Sequence, residues 1–199
     1  GVMERGAIKD QPALAAAVRE AFRGAETVEG RKKRSPAIRP RQIVFGLPDS
    51  QVYIHSFAHL WSAAPKGDEA LGAMILAEAG EHIPLAESDL LLSYKILQRT
   101  DTGLDFLIAA VSRRLVDDWQ RFFAELGLRP EFDLETIATF RGIFPESVER
   151  PVMMIDCGAV ATTFAIFDQS GLRYSRTLSQ GGEQLTKAIA SALKVDLGV

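Results

Sequence analysis

The chain has 199 residues, 47% of them apolar, which is enough to build a packed core in one large domain or two small ones. A formal net charge of −3, from 23 basic and 26 acidic residues, excludes a broad positive field for nucleic acid or an anionic membrane. A single cysteine excludes an internal disulfide, suits a reducing cytoplasm and, with only three histidines, leaves a Cys/His metal centre poorly supplied. No run approaches the ~20 apolar residues of a membrane-spanning helix.

The first half of the sequence predicts a helix followed by a small α+β module. Apolar side chains recur at helical spacing after Asp10, which stands where an N-cap residue would. Short apolar runs bounded by Pro48, Pro84 and an Asp-Thr-Gly turn predict strands around a second helix. The predicted elements are helices at residues 12–22 and from 67 or 68 to 82, and strands at residues 43–48, 51–57, 90–98 and 104–111.

The second half predicts helices and strands in alternation. Gly127 stands where a helix C-cap glycine would, and an Asp-Gln-Ser-Gly turn joins two of the strands. The predicted elements are helices at residues 113–126, at 134–144 and within the segment 180–193 that opens with Gly181 and Gly182, and strands within residues 152–167 and at 172–178, with a strand-like link before residue 134. The one basic run, at residues 31–34, is predicted to be a solvated linker.

The stretch MMIDCGAVATTFAIF, residues 153–167, places an acid, a glycine and a hydroxyl at a turn between two apolar runs. Asp156 ends the first run, Gly158 follows it, and Thr162 precedes the second run. Backbone N–H groups in such a turn can meet a phosphate, and the carboxylate can order the water shell of Mg²⁺. An ordinary β-hairpin, in which the acid and the hydroxyl satisfy the turn, carries the same pattern. The pattern alone leaves both interpretations open.

Two further constellations have a structural and a functional interpretation. Gly181 and Gly182 precede a helix, and they indicate either a flexible turn or a strand-to-helix corner beside a nucleotide cleft. Ser175, His82 and Asp89 contain the residue types of a hydrolase triad, but the sequence has no G-x-S-x-G elbow around the serine. We therefore expect no catalytic residue among these three.

Taken in order, four segments resemble the actin-like family typified by PilM of type IV pilus assembly, which is related to FtsA of cell division. The segments are RGAIKDQPALAAAVREAF (residues 5–22), IVFGLPDSQVYIHSF (43–57), ILAEAGEHIPLAESDLLLSYKIL (75–97), and MMIDCGAVATTFAIF (153–167) with RTLSQGGEQLTKAIASAL (176–193). The part reading HIPLAESD is similar to the pilus branch and favours PilM over FtsA.

The resemblance implies an actin-like, ribonuclease H-like α/β fold with an inserted small α+β subdomain of the 1C or SHS2 type. Residues 1–48 and 113–150 would then form subdomain 1A, and residues 49–112 would form the inserted subdomain. Residues 151–199 would start subdomain 2A and carry the second phosphate loop of the fold.

The resemblance also implies a nucleotide site, with ATP and Mg²⁺ as the cofactors of full-length members and Asp156 as the residue toward the metal. The implied cofactor-binding residues are Asp156, Gly158, Ala159, Thr162, Gly181 and Gly182. Ala159 and Val160 stand where many ATP-hydrolysing relatives have glycines or a polar residue, and a β-branched valine resists positive φ, so hydrolysis is not expected. We expect this chain to be a fragment with one of the family's three nucleotide elements, and to bind ATP weakly or not at all.

Three functions follow from the resemblance. The first is a cytoplasmic scaffold whose groove beside the inserted subdomain binds the cytoplasmic N-terminal tail of a PilN-like inner-membrane protein, so that the membrane is reached only through partners. The second is an actin-like ATP-binding protein or ATPase. The third is an FtsA-like cell-division adaptor. The scaffold is the preferred interpretation; nucleic acid is not an expected partner, and the oligomeric state stays open.

Overall fold

The computed structural model describes residues 2–4, 6–23, 37–61, 65–144, 146 and 148–196. The basic run at residues 31–34 lies outside the described residues, so its assignment as a linker stays a prediction. The described residues form five α-helices and ten β-strands in four small sheets. No helix in this part of the chain is long and apolar enough to cross a membrane.

The chain starts with a short hairpin that leads into the first helix. Strands β1 (Met3–Glu4) and β2 (Ala7–Ile8) pair antiparallel around Gly6, whose φ of 77° suits glycine. Helix α1 (Gln11–Arg23) follows. The Asp10 carboxylate accepts the Ala13 N–H at 3.0 Å, which confirms the predicted N-cap.

The body of the fold is built on two parallel strands. Strand β3 (Gln42–Leu47) pairs with the much later β7 (Arg129–Leu134), which the sequence indicated only as a strand-like link. Helix α3 (Arg113–Glu125) packs on them, and α4 (Glu135–Ile143) follows β7 directly. Their common core consists of Leu14, Leu47, Val111, Leu115, Trp119, Phe122, Phe123 and Leu128.

Between these two strands the chain forms a module with its own sheet. The module contains β4 (Val52–Leu60), α2 (Gly67–His82), β5 (Leu90–Thr100) and β6 (Gly103–Ser112), with the strands in the antiparallel order β4-β6-β5. One face of the sheet packs on α2. The elements follow the predicted order strand, helix, strand, strand. The division of the chain into subdomains stays a prediction.

The other face of the module's sheet packs on the body. Val111, with the half-buried Val52 and Leu91, joins the core around Trp119. Leu107 joins a third core that lies beneath the last three strands. The module is therefore packed on both faces and shares apolar side chains with the rest of the chain.

The last part of the described chain is a three-stranded antiparallel sheet and a helix. Strands β8 (Val152–Cys157), β9 (Thr162–Asp168) and β10 (Gly171–Leu178) lie in the order β10-β9-β8 and precede α5 (Gly182–Leu193). The inner face of this sheet forms the third core with α4, through Leu107, Phe140, Met154, Ala165, Phe167 and Leu172.

Candidate functional site

The turn between β8 and β9 carries the acid, glycine and hydroxyl that the sequence singled out. Asp156 is exposed at the end of β8 and pairs with Thr163 across the sheet. The Gly158 N–H donates to the Ala161 carbonyl at 2.9 Å and closes the turn. No residue from 158 to 161 has a positive φ, so Val160 fits here without strain. The turn therefore lacks the left-handed residue of a typical anion nest.

The two predicted glycines lie against this turn and form a strand-to-helix corner. The N–H of Gly182 donates to the Gly158 carbonyl at 2.9 Å, and the N–H of Glu183 donates to the Ala159 carbonyl at 2.8 Å. A Cβ atom on Gly181 would lie 2.5 Å from the same Gly158 oxygen, so only glycine fits there without a shift of backbone. The structure thus favours a packed corner over a flexible turn.

The Thr162 hydroxyl joins the same corner. It donates to the Gln180 carbonyl at 2.7 Å, just before the paired glycines. The structure therefore brings all six residues predicted for cofactor binding into one contiguous corner. Their role in binding a nucleotide is not decided by this proximity and stays a prediction.

Few backbone donors of this corner remain for an anion. The N–H groups of Gly182 and Glu183, in the first turn of α5, already donate to the β8–β9 turn, and so does Gly158 within it. Among the described residues, the N–H groups of Ala159, Val160 and Ala161 donate to no protein acceptor, and the first two of these residues are exposed. A phosphate at this turn would thus meet at most three backbone donors rather than a full cradle.

Glu135 lies near both Asp156 and Asp49, and the sequence reasoning missed Glu135 and Asp49. Glu135 starts α4, and Asp49 follows β3. The pKa of Glu135 is raised because its carboxyl group is partly screened from water, although the residue as a whole is exposed. The negative charges of Asp49 and Asp156 raise it further, while a hydrogen bond from the Asp49 N–H opposes the shift.

The position of these acids follows from the parallel pairing of β3 with β7. Leu47 is paired with Leu134, so the residues after both strands emerge at the same edge of the sheet. The Asp49 carboxylate also accepts the N–H of Thr136 at 3.3 Å and its hydroxyl, so Asp49 is held at the start of α4. The sequence feature that could have located these residues is an acid, Asp49 or Glu135, shortly after each of the two strands.

Carboxylate oxygens are the ligands that Mg²⁺ prefers, so the chemistry of these acids suits the implied metal. Within the described residues, however, no three His, Cys, Asp or Glu side chains are arranged so that they could hold a metal ion together. The described acids therefore do not form a metal site by themselves, and the assignment of Asp156 to Mg²⁺ stays a prediction.

A groove of about 740 Å³ lies between the inserted module and the body. Its floor is the face of β5 and β6 opposite α2, and its walls come from α4, the end of β7 and the β9–β10 turn. The lining is mainly apolar. Its apolar members include Leu47, Val52, Leu91, Leu107, Val111, Val116, Phe132, Ile137, Phe140, Phe144, Phe167 and Leu172.

Helix α4 belongs to both regions. Its first residue, Glu135, lies near Asp156, while Phe140 and Phe144 line the groove. Phe140 stacks on Phe167 of β9 with ring centroids 3.6 Å apart and planes 5° apart. Helix α4 thus connects the wall of the groove with the edge that carries Asp49, Glu135 and Asp156, which we call the acidic edge.

The three residue types of a hydrolase triad lie in different elements of the fold. Ser175 lies in β10, whereas Asp89 accepts the Arg114 N–H at 3.1 Å at the start of α3. This bond lowers the pKa of Asp89. The ring of His82 lies 3.9 Å from the Glu78 carboxylate on α2. Each residue has its own structural surroundings.

The sequence matches the family model for type IV pilus assembly protein PilM over residues 2–197. The chain belongs to this family. The family prediction made from the sequence is therefore confirmed. No curated protein sequence matches the chain significantly.

One solved structure shares the α/β fold of this chain and supports the fold prediction. A chain of a PilM-PilN type IV pilus biogenesis complex has a TM-score of 0.76 and 21% identity, over 99% of this chain and 56% of that one. Ethanolamine utilization protein EutJ from Carboxydothermus hydrogenoformans has a TM-score of 0.48 and 12% identity, over 98% of this chain and 46% of its own. A Bacteroides thetaiotaomicron protein with an actin-like ATPase fold has a TM-score of 0.37 and 10% identity, over 95% and 66%.

Proposed function

We propose that this chain is a cytoplasmic scaffold of type IV pilus assembly and that its groove binds the N-terminal cytoplasmic tail of a PilN-like inner-membrane protein. The observation that carries the proposal is the apolar groove of about 740 Å³ between module and body. Membership of the PilM family supports a role in type IV pilus assembly. The similar chain that was solved in a PilM-PilN complex supports a PilN-like protein as the partner.

The groove has the features that an extended peptide requires. Its floor and walls are lined by leucine, valine and phenylalanine side chains, which can accept apolar anchors of the peptide. Strand β5 is at the edge of the module's sheet, so its outer backbone groups can pair with an added strand. Apolar anchors would supply the affinity, and backbone pairing along β5 would fix the register.

The proposal also accounts for membrane association through a partner. No described helix of this chain can cross a membrane. The family resemblance implies that the PilN-like partner is itself an inner-membrane protein. A tail held in the groove would keep this chain at the inner face of that membrane. Whether the bound chain forms oligomers is left open by the proposal.

The test is a bulky substitution in the groove. Ser93 is exposed on β5 and lines the groove, so Ser93→Trp should fill part of it without removing a core contact. Ser88, an exposed serine of the same module outside the groove lining, gives the matched control Ser88→Trp. The probe is a labelled synthetic peptide with the tail sequence of the PilN-like protein of the same organism, and the readout is fluorescence anisotropy.

We expect Ser93→Trp to weaken peptide binding at least about tenfold, equivalent to ~1.4 kcal/mol, because the indole occupies the space of an anchor. The control should bind like the wild type, and both variants should keep its melting temperature. Wild-type affinity in Ser93→Trp, or no binding by the wild type itself, would contradict the proposal.

A second function, nucleotide binding, is favoured by the acids at the edge beside Asp156. We predict that this chain binds Mg-ATP more weakly than micromolar, because among the described residues of the turn only the three from Ala159 to Ala161 offer backbone donors. A lost hydrogen bond is worth roughly 1 kcal/mol and tenfold in affinity is ~1.4 kcal/mol, so a few missing donors decide the outcome. Isothermal calorimetry showing micromolar or tighter binding would instead support the ATP-binding function.

A further inference from the structure

We propose that Lys95 determines which peptide the groove accepts, by pairing its ammonium group with a carboxylate of the bound segment. The inference rests on the proposed function, because Lys95 belongs to the same groove. It adds a chemical requirement on the partner, namely an acidic side chain at one position of the tail.

The first observation is the inventory of charges in the groove. Five charged side chains line it: Lys95, Asp133, Arg141, Glu146 and Asp168. Arg141 forms an ion pair with Asp133, and Asp168 forms one with Arg173 at 3.4 Å. In the described part of the chain, Lys95 and Glu146 are the lining residues that no ion pair neutralises.

The second observation is the contact that Lys95 does make. Its Nζ atom donates to the Ser170 carbonyl, a neutral acceptor in the β9–β10 turn. The side chain thus reaches from the groove floor to the opposite wall and remains exposed. An ammonium group has three donors, so this bond leaves capacity for a further acceptor. A carboxylate there would form a charge-assisted hydrogen bond.

Lys95 is also the better placed of the two unneutralised charges. It lies on β5, two residues after Ser93, and its backbone is fixed by pairing with Leu107 on β6. Glu146 lies in the irregular segment after α4. A peptide added along the edge of β5 would pass the lysine in a fixed register. The carboxylate position in the tail would then be defined relative to its apolar anchors.

The experiment is a double-mutant cycle with the same labelled tail peptide. On the protein side, Lys95→Gln removes the charge, Lys95→Arg keeps it, and Lys66→Gln is the control for an exposed lysine of the module outside the groove lining. On the peptide side, each Asp or Glu is replaced in turn by Asn or Gln. Affinities are measured by anisotropy at low and high salt, and melting temperatures check the fold.

We expect Lys95→Gln to weaken binding of the native tail about three- to tenfold, with the loss shrinking at high salt. Lys95→Arg and Lys66→Gln should bind within about twofold of the wild type. One amide-substituted peptide should bind Lys95→Gln and the wild type equally, which identifies the paired acid.

The two proposals fail in different ways. If the wild type binds no tail peptide, or Ser93→Trp binds it normally, the proposed function fails. If Ser93→Trp loses the peptide while Lys95→Gln keeps wild-type affinity for every peptide, only the role of Lys95 is overturned. A tail without acidic residues that binds through the groove, or a larger effect of Glu146→Gln than of Lys95→Gln, would overturn it as well.

Discussion

Replacing Gly181 by alanine is expected to destabilise the corner between β10 and α5. The new Cβ atom would lie 2.5 Å from the Gly158 carbonyl oxygen and 2.7 Å from the carbonyl carbon and oxygen of Ala159. These atoms belong to the backbone, so the turn or the helix must move. The same two carbonyls accept the N–H groups of Gly182 and Glu183 at 2.9 and 2.8 Å, so both hydrogen bonds would be disturbed together.

The size of the effect follows from these bonds. Each of the two contributes roughly 0.5–1.5 kcal/mol, while alanine restricts the unfolded chain and offsets about 0.4–1 kcal/mol. We therefore expect a net loss of about 1–2 kcal/mol in the free energy of unfolding. For a chain of this length, 1 kcal/mol corresponds to about 2–4 °C, so the melting temperature should fall by roughly 2–8 °C.

The neighbouring glycine provides the control. A Cβ atom on Gly182 would lie 3.8 Å from the Gly158 oxygen, which is ordinary van der Waals contact. Alanine is about 1 kcal/mol better than glycine inside a helix, so Gly182→Ala should be neutral or slightly stabilising. Urea unfolding followed by circular dichroism compares the two variants. Equal stability of Gly181→Ala and Gly182→Ala would refute the packed corner.

Two more predictions concern the acids at the same edge. Asp156→Ala should change the free energy of unfolding by no more than ~0.5 kcal/mol, because the side chain is exposed at a strand end. The free energy is measured by urea unfolding. A loss of several times this value would mean that the acid is a structural cap of the hairpin. For Glu135, the raised pKa means that the folded chain binds the proton more tightly than the unfolded chain. Wild-type stability should therefore fall as the pH rises from about 4.3 through the raised pKa. Glu135→Gln should lack this fall, so its stability relative to the wild type should increase over that interval in urea titrations at several pH values. A difference that stays flat, or decreases, with pH would disprove the raised pKa.

Local patterns in the sequence were sufficient for most of the individual elements. The spacing of apolar residues located α1. The N-cap role of Asp10 could be predicted because the bond involves a residue only three positions away. Gly127, predicted as a C-cap residue, has a φ of 74° directly after α3. These features depend on neighbours along the chain, and one sequence contains all the information about them.

The acidic edge was missed because it depends on distant pairing. Asp49 and Thr136 are 87 positions apart, and they meet only because β3 pairs in parallel with β7. A single sequence shows the two strands but not their partnership or register. The acid that the sequence did identify, Asp156, was found through a local turn pattern that the other two acids lack.

The groove was predicted only in outline, beside the inserted subdomain. Its walls come from α4 and the β9–β10 turn, which follow the module by at least 20 residues and reach it through packing against Leu107. For Gly181, the structure favours a packed corner over a flexible turn because the glycine lies against the backbone of the β8–β9 turn. The sequence around Gly181 does not reveal this close contact.

Strand β6 is the central strand of the module's sheet, and it supplies buried side chains to all three cores. Phe106 and Ile108 pack beneath α2, Val111 packs near Trp119, and Leu107 packs beside Phe140. Separating this strand from its neighbours would expose all three cores at once. We therefore expect the module and the body to unfold as one cooperative unit, and the backbone amides of β6 to exchange with solvent hydrogen only when the whole molecule opens.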